Sequence, residues 1–357
     1  MCAEQSLNLS GEVARTVAAR DFPLANVLMD PSRYDYEGNW AFCVFDSEEI
    51  PAARFGFGAG AFDLRDYGPG EAPSREFMLL QMEMMTREGA VLWLANCKYK
   101  ASQILSDPRR MEVTLNDGAR RILRISGWPT SLWQMSSDDG QAELEMEIAP
   151  ESVTILPDQK LRRNLFAMWL TVGKAKGWLR YNGRRVAVKG TAFYDHPRTS
   201  LLQHKVPPLG RYLYMPIAFE DGSRVAAYHT VDATGRCVED FCFALFISPD
   251  GRAQWLPGGA MPRLACDPNG FPTAWSANWL SPKWSLSLEA TVRETGILKA
   301  WGSSGWGGGA VPQTRAENRN LPLVFDCTAR VTRYGRELTL RGKGMAEYVL
   351  GADTEGS

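Results

Sequence analysis

The chain has 357 residues, 45% hydrophobic and 23% charged, with 40 basic against 41 acidic side chains. That length allows two domains with separate cores, and the composition excludes a disordered chain. A net charge of -1 leaves no basic surplus for a nucleic acid or an anionic membrane surface, so neither is expected as a partner.

Residues 1–20 mix Glu4, Gln5, Asn8, Glu12 and Arg15 with small apolar side chains, unlike the basic start and apolar run of a signal peptide. No window approaches the roughly 18 unbroken apolar residues of a spanning helix, so a cytoplasmic protein without a membrane span is expected. Two segments read as helix: Glu12 to Ala19, and Gln159 to Lys176, where Thr171, Val172 and Gly173 leave strand or loop open. Gly56-Phe57-Gly58-Ala59-Gly60 reads as a hairpin or loop, since no nucleotide-binding unit surrounds it.

Strand patterns dominate the rest. Ala142 to Ile148 alternates apolar and acidic residues, and Trp284 to Glu289 and Phe325 to Thr332 keep the same period of two. Asn116-Asp117-Gly118, Asp139-Gly140, Asn182-Gly183, Asp221-Gly222, Asp250-Gly251 and Tyr334-Gly335 fall between apolar runs, where such pairs make hairpin turns. Antiparallel meanders follow, and nothing alternates as βαβα. Pro197, Pro207, Pro208 and Gly210 cluster in mid-chain and divide it into expected domains 1–205 and 206–357. Trp301 to Gly309 is glycine-rich and predicts a mobile loop near an opening.

The seven cysteines (2, 43, 97, 237, 242, 266 and 327) are odd in number and irregularly spaced, which predicts free buried thiols. With three scattered histidines no metal centre is expected. No GxGxxG opens a helix after a strand, and no GxxxxGK[ST], HExxH or GxSxG occurs, so no cofactor is expected.

Four segments, spread over nearly the whole chain, resemble the hydroxyneurosporene synthase (carotenoid 1,2-hydratase) and AttH-like family. They are Tyr36 to Asp46, Gly190-Thr191-Ala192-Phe193-Tyr194-Asp195-His196, Arg211 to Thr230, and Gly342 to Tyr348. The resemblance implies an all-β protein of two lipocalin-like antiparallel β-barrels or curved β-sandwiches packed together. It implies hydrophobic isoprenoid or polyketide substrates, and activities of the hydratase or pericyclase (Diels–Alderase) kind. The chain departs from the pattern after His196, where Pro197-Arg198-Thr199-Ser200 replaces an expected aromatic.

Asp195 and His196 are the first candidates for chemistry, with Tyr194 and His229 in support. Adjacent strand residues face opposite sides, so one of Asp195 and His196 faces a pocket unless Pro197 breaks the strand. A carboxylic acid serves as a general acid when burial raises its pKa; a buried polar pair bridging the domains is the alternative role. Asp232 is expected to cap a turn, and His229 to sit on a half-exposed strand unless the barrel interior takes it. Twelve tryptophans suit a greasy ligand as well as a β core. Trp40, Tyr214, Tyr228, Trp284 and Trp301, with Glu347, are the candidate substrate-binding residues. The expectation is an enzyme that hydrates, isomerises or cyclises a hydrophobic small molecule between two β-domains; a lipocalin-like carrier or sensor is the rival. The oligomeric state is left open.

Overall fold

The computed structural model describes residues 15–22, 36–60, 77–87, 89–96, 98–107, 110–155, 159–161, 164–199, 209–232, 237, 242–259, 262–268, 271–281, 283–295, 298–304 and 320–350. The first strands are β1 (Arg15–Ala18), β2 (Tyr36–Phe45), β3 (Ala52–Gly60), β4 (Phe77–Thr86) and β5 (Gly89–Asn96). Five more follow: β6 (Leu105–Asp107), β7 (Glu112–Asp117), β8 (Arg120–Ser126), β9 (Ser131–Ser136) and β10 (Glu143–Ile155). Then come β11 (Gln159–Leu161), β12 (Asn164–Tyr181) and β13 (Arg184–Thr199). The second half gives β14 (Leu209–Phe219), β15 (Arg224–Asp232), β16 (Phe243–Ile247), β17 (Ala253–Pro257) and β18 (Arg263–Cys266). It continues with β19 (Pro272–Leu280), β20 (Trp284–Thr295), β21 (Leu298–Ser304), β22 (Asn320–Arg333) and β23 (Arg336–Leu350).

These strands form a 14-stranded sheet, ordered β21-β5-β4-β3-β2-β13-β12-β10-β9-β8-β7-β6 with β1 on β10 and β11 on β12. The second, 9-stranded sheet runs β17-β16-β15-β14-β23-β22-β20-β19-β18. The protein is all-β, two sheets that are antiparallel except where β21 joins β5, one of them curled as a half-barrel, consistent with the expected two lipocalin-like β-domains. Asn182 and Gly183 both take positive φ (47° and 75°), the geometry that a two-residue hairpin between β12 and β13 requires.

Four readings are corrected or decided by the structure. Gly56 to Gly60, expected as a hairpin or loop, is the end of strand β3, paired with both β2 and β4. Within Gln159 to Lys176, read as helix with strand or loop left open, Gln159–Leu161 and Asn164–Tyr181 are strand: β12 pairs with β10 on one side and β13 on the other, and Thr171 and Val172 suit that two-sided ladder. Of the first proposed helix, Arg15–Ala18 is strand and Ala19–Asp21 a single 3-10 turn, while residues 12–14 lie outside the described residues. Leu298–Ser304 is also strand, paired in parallel with β5, so its backbone leaves the second sheet and extends the first; residues 305–309 lie outside the described residues.

Alternation sorts the side chains into three cores. Trp133, Trp169, Phe55, Phe57 and Tyr194 fill the concave side of the first sheet. Trp275, Trp279, Phe325 and Leu286 fill that of the second. A third cluster lies between the sheets, with Phe42, Val172 and Phe193 from the first meeting Tyr214, Phe243 and Met345 from the second. On β10, Leu144, Met146 and Ile148 point inward, while Glu143 and Glu147 pair across strands with Arg180 and Lys176. Such exposed pairs contribute at most about 1 kcal/mol each; burial of the apolar faces dominates.

Candidate functional site: a buried acid cluster between the sheets

β13 runs unbroken through Pro197. Its register with β2 is the same on both sides of the proline, from Asp195↔Trp40 to Arg198↔Glu37. Proline without an N–H weakens the ladder to β2 and leaves the strand direction intact. The period of two therefore holds, and Asp195 and His196 point to opposite sides.

His196 and Tyr194 enter the core of the first sheet. His196 is fully buried, stacked on Trp169 with ring centroids 4.9 Å apart, and its Nε2 lies 2.6 Å from Glu37 Oε1. Its Nδ1 is 2.9 Å from Asn39 Oδ1, which also accepts the Tyr194 hydroxyl at 2.5 Å. An amide oxygen only accepts, so Nδ1 carries a proton and a second proton lies between Nε2 and Glu37. These bonds tie β13 to β2 where the proline weakens their ladder.

Asp195 faces the other sheet. Tyr228 of β15 donates to its Oδ2 at 3.0 Å, while Oδ1 has no hydrogen-bond partner among the described residues. Arg54 of β3 pairs with Glu83, its cross-strand neighbour on β4, at 2.8 Å. The same guanidinium reaches across the seam to Glu347 of β23. Gln81 donates to Glu83 at 2.8 Å. Aromatic rings line the second sheet's side: in cross-strand register Tyr214 stacks on Tyr228 at 4.2 Å and Tyr228 meets Phe243 at 5.1 Å, while Phe243 stacks on its diagonal neighbour, the half-buried Trp255, at 4.1 Å. Phe42 of the first sheet meets Tyr214 edge-on at 4.6 Å. At the rim, Lys343 donates to the Phe45 carbonyl at 2.7 Å and reaches Asp46 at 3.1 Å.

Arg54 thus pairs with two buried carboxyl groups, Glu83 and Glu347, with the carboxyl of Asp195 buried nearby, an environment that disfavours ionised Asp195. Burial is the main cause that pushes Asp195 up to about 8; the Tyr228 hydrogen bond opposes it, the charge of Glu347 adds to it, and Arg54 opposes it again. Burial likewise raises Glu83, against Arg54. The Tyr214 phenol is raised well above its usual value, first by burial and then by Asp195. At neutral pH Asp195 holds a proton with one oxygen free to offer it.

Of the candidates named from sequence, Asp195, Trp40, Tyr214, Tyr228 and Glu347 meet in this seam; Trp40 is half-buried beside Asp195 in the register. Tyr194 and His196 lie behind it in the first core. His229 turns into the second core and is fully buried, against the expected half-exposed setting, because it alternates with Tyr228. Trp284 packs near Phe246 under Arg333, away from the seam. Trp301 has a described backbone only, opposite Trp93. Asp232 ends β15 opposite Leu209. Sequence reading missed Arg54, Gln81, Glu83, Phe42, Phe243 and Trp255. One signal was present: Met78 to Met85 is apolar on both strand faces except at Gln81 and Glu83, so those polar groups share one buried face.

A cavity of about 870 Å³ lies on the outer side of the second sheet, lined by Arg263, Ser276, Glu289, Asp326 and Arg341. None of the seam acids lines it. Among the described residues no group of three or more His, Cys, Asp or Glu is placed to hold a metal, and no helix is long and apolar enough to cross a membrane. Cys237 and Cys242 are joined as a disulfide, against the expectation of free thiols, with their Cα atoms 6.9 Å apart and Cys237 bridged to Val231 of β15.

Fold and seam together define a lipocalin-like protein of two β-sheets with an acid cluster at their interface. Solved structures of the same fold include an AttH-assigned protein from Nitrosomonas europaea, with 12% identity, TM-score 0.55, and coverage of 91% of this chain and 95% of that one. Kievitone hydratase from Nectria haematococca is similar at 12% identity and TM-score 0.50, over 94% of this chain and 96% of that one. These neighbours agree with the AttH-like resemblance of the sequence, at the level of fold. No family profile matches the sequence, and no curated protein matches it.

Proposed function

We propose that the protein is an enzyme that protonates a hydrophobic isoprenoid or polyketide-type intermediate at the seam, with Asp195 as general acid. The carrying observation is the Asp195 carboxyl itself: enclosed, its pKa pushed by burial up to about 8, anchored through Oδ2 by Tyr228 and unpartnered at Oδ1 among the described residues. In the proposed step the Asp195 proton and the alkene π electrons form a C–H bond, leaving an Asp195 carboxylate and a carbocation. The faces of Tyr214, Tyr228 and Phe243 are placed to hold that cation through their ring quadrupoles. Water attack and loss of the oxonium proton complete a hydration, loss of a neighbouring proton an isomerisation, and attack by a second double bond followed by loss of a proton from the new cation a cyclisation; in each the proton lost returns to the Asp195 carboxylate. Arg54, held between Glu83 and Glu347, sets the field in which the acid works. A hydratase among proteins of this fold lends support.

The test is turnover of isoprenoid and polyketide-type alkenes in D2O by the wild type and Asp195→Asn. The expected result is wild-type product with deuterium at the protonated carbon, and loss of product in the variant. Saturable binding without turnover would mark a carrier instead.

A further inference from the structure

Four strands of the second sheet run on as a finger. β14 leaves β23 at Phe219, opposite Gly342, and β18 leaves β19 at Arg263, opposite Ser276. Beyond those points β19, β20, β22 and β23 stay paired with one another as far as the turns at 281–284 and 333–336. The Tyr334 N–H donates to the Lys283 carbonyl at 3.1 Å, which ties the two turns side by side.

Three of the four large hydrophobic side chains that the described residues expose gather on this finger: Leu280 (70%), Tyr334 (66%) and Leu338 (51%). Leu338 stands on the same strand face as Leu340, which the core buries, one pleat nearer the tip. Leu280 is level with Thr332 through Ser285, and Leu338 follows Gly335 by three residues. Both therefore lie within about 10 Å of the tip along the strands. Tyr334 occupies the tip at a cost. Its φ of 48° is a left-handed conformation that Asn and Gly accept readily and a bulky residue rarely adopts. A ring so exposed gains little from the core in return, and strain of this kind gathers where a surface is used.

Charge completes the pattern. Lys283, Arg330, Arg333 and Arg336 stand on the finger against one acid, Glu337, a local surplus that the whole-chain balance of -1 hides. None of the four makes an ion pair among the described residues. Arg333 instead lies over the rings of Trp284 at 4.9 Å and Tyr334 at 5.7 Å. An apolar, aromatic tip within a collar of cations fits an anionic lipid surface. Leucine and tyrosine enter the boundary between headgroups and acyl chains, roughly 5–10 Å deep, while the long basic side chains reach the phosphates. A nucleic acid would use the cations and leave Leu280 and Leu338 in water.

We propose that the finger docks the protein on an anionic phospholipid bilayer, with Leu280, Tyr334 and Leu338 inserted and the four basic side chains among the headgroups. This docking stands apart from the chemistry of the seam.

The full chain is sedimented with large unilamellar vesicles of phosphatidylcholine, with and without roughly 30% phosphatidylserine. The wild type is expected to bind the anionic vesicles at least about tenfold more tightly, and to lose that preference in high salt. Tyr334→Asn with Leu338→Thr should weaken partitioning about tenfold while the urea midpoint holds or rises, because Asn suits the left-handed turn and Thr the strand. Arg330→Gln with Arg336→Gln should weaken it about tenfold on the anionic vesicles alone. Absence of binding to anionic vesicles, or binding undiminished in Tyr334→Asn with Leu338→Thr, would overturn the inference. So would a stable dimer that Leu338→Thr dissociates, which would assign the finger to a second copy of the chain.

Discussion

Replacing Asp195 by Asn turns the raised acidity of the seam into a stability measurement. Asn keeps an oxygen for the Tyr228 hydroxyl and removes the titration. In the folded protein the acid titrates at about 8, against about 4 in an unfolded chain. The folded state therefore binds more protons between those values, so the wild type loses stability as pH rises through that window and levels off above it. At about 1.4 kcal/mol per pH unit, the advantage of Asp195→Asn over wild type should grow by roughly 4 kcal/mol from pH 5 to pH 8. His229, held down to about 4 by burial, acts with opposite sign: its contribution fades as pH falls below its unfolded value. That residue is common to both proteins and cancels in the difference. Urea unfolding of both at half-unit pH steps supplies the data. A difference that stays constant across the range would refute the reasoning, because it would mean Asp195 is already ionised in the folded protein.

Arg54→Met should destabilise the protein by about 3–5 kcal/mol, since it strips two buried carboxyl groups of their cation; adding Glu83→Met should recover part of the loss in the same denaturation assay. Tyr228→Phe removes the hydrogen bond that opposes the raised Asp195 pKa, so the Asp195 carboxyl 13C titration should move upward from about 8. Trp169→Ala should cost about 3–5 kcal/mol by leaving a cavity among Phe22, Trp128, Tyr194 and His196, read from the denaturation midpoint.

Alternation carried much of the fold. Ala142 to Ile148 and Phe325 to Thr332 show period two, and Asn182-Gly183 and Tyr334-Gly335 close hairpins because both residues of each pair take positive φ. The opposition of Asp195 and His196 was legible for the same reason. Their partners were not: Arg54 meets Glu347 only because two sheets pack face to face, and no local pattern reports a contact between residues 54 and 347. Gln159 to Lys176 misled because its Lys, Leu, Ala and Met residues suit a helix, and only pairing with β10 and β13 overrides that preference. Trp301 to Ser304 misled because its glycine and serine content suits a loop, while its strand state depends on the parallel edge of β5. The disulfide between Cys237 and Cys242 joins residues five apart in sequence, a spacing that does not by itself specify a bond.

The most direct test of the account is the pH dependence of turnover by wild type and Asp195→Asn on the isoprenoid and polyketide-type panel. The account predicts wild-type turnover that falls as pH rises through about 8 and an inactive variant that still folds. Undiminished turnover by Asp195→Asn would contradict it.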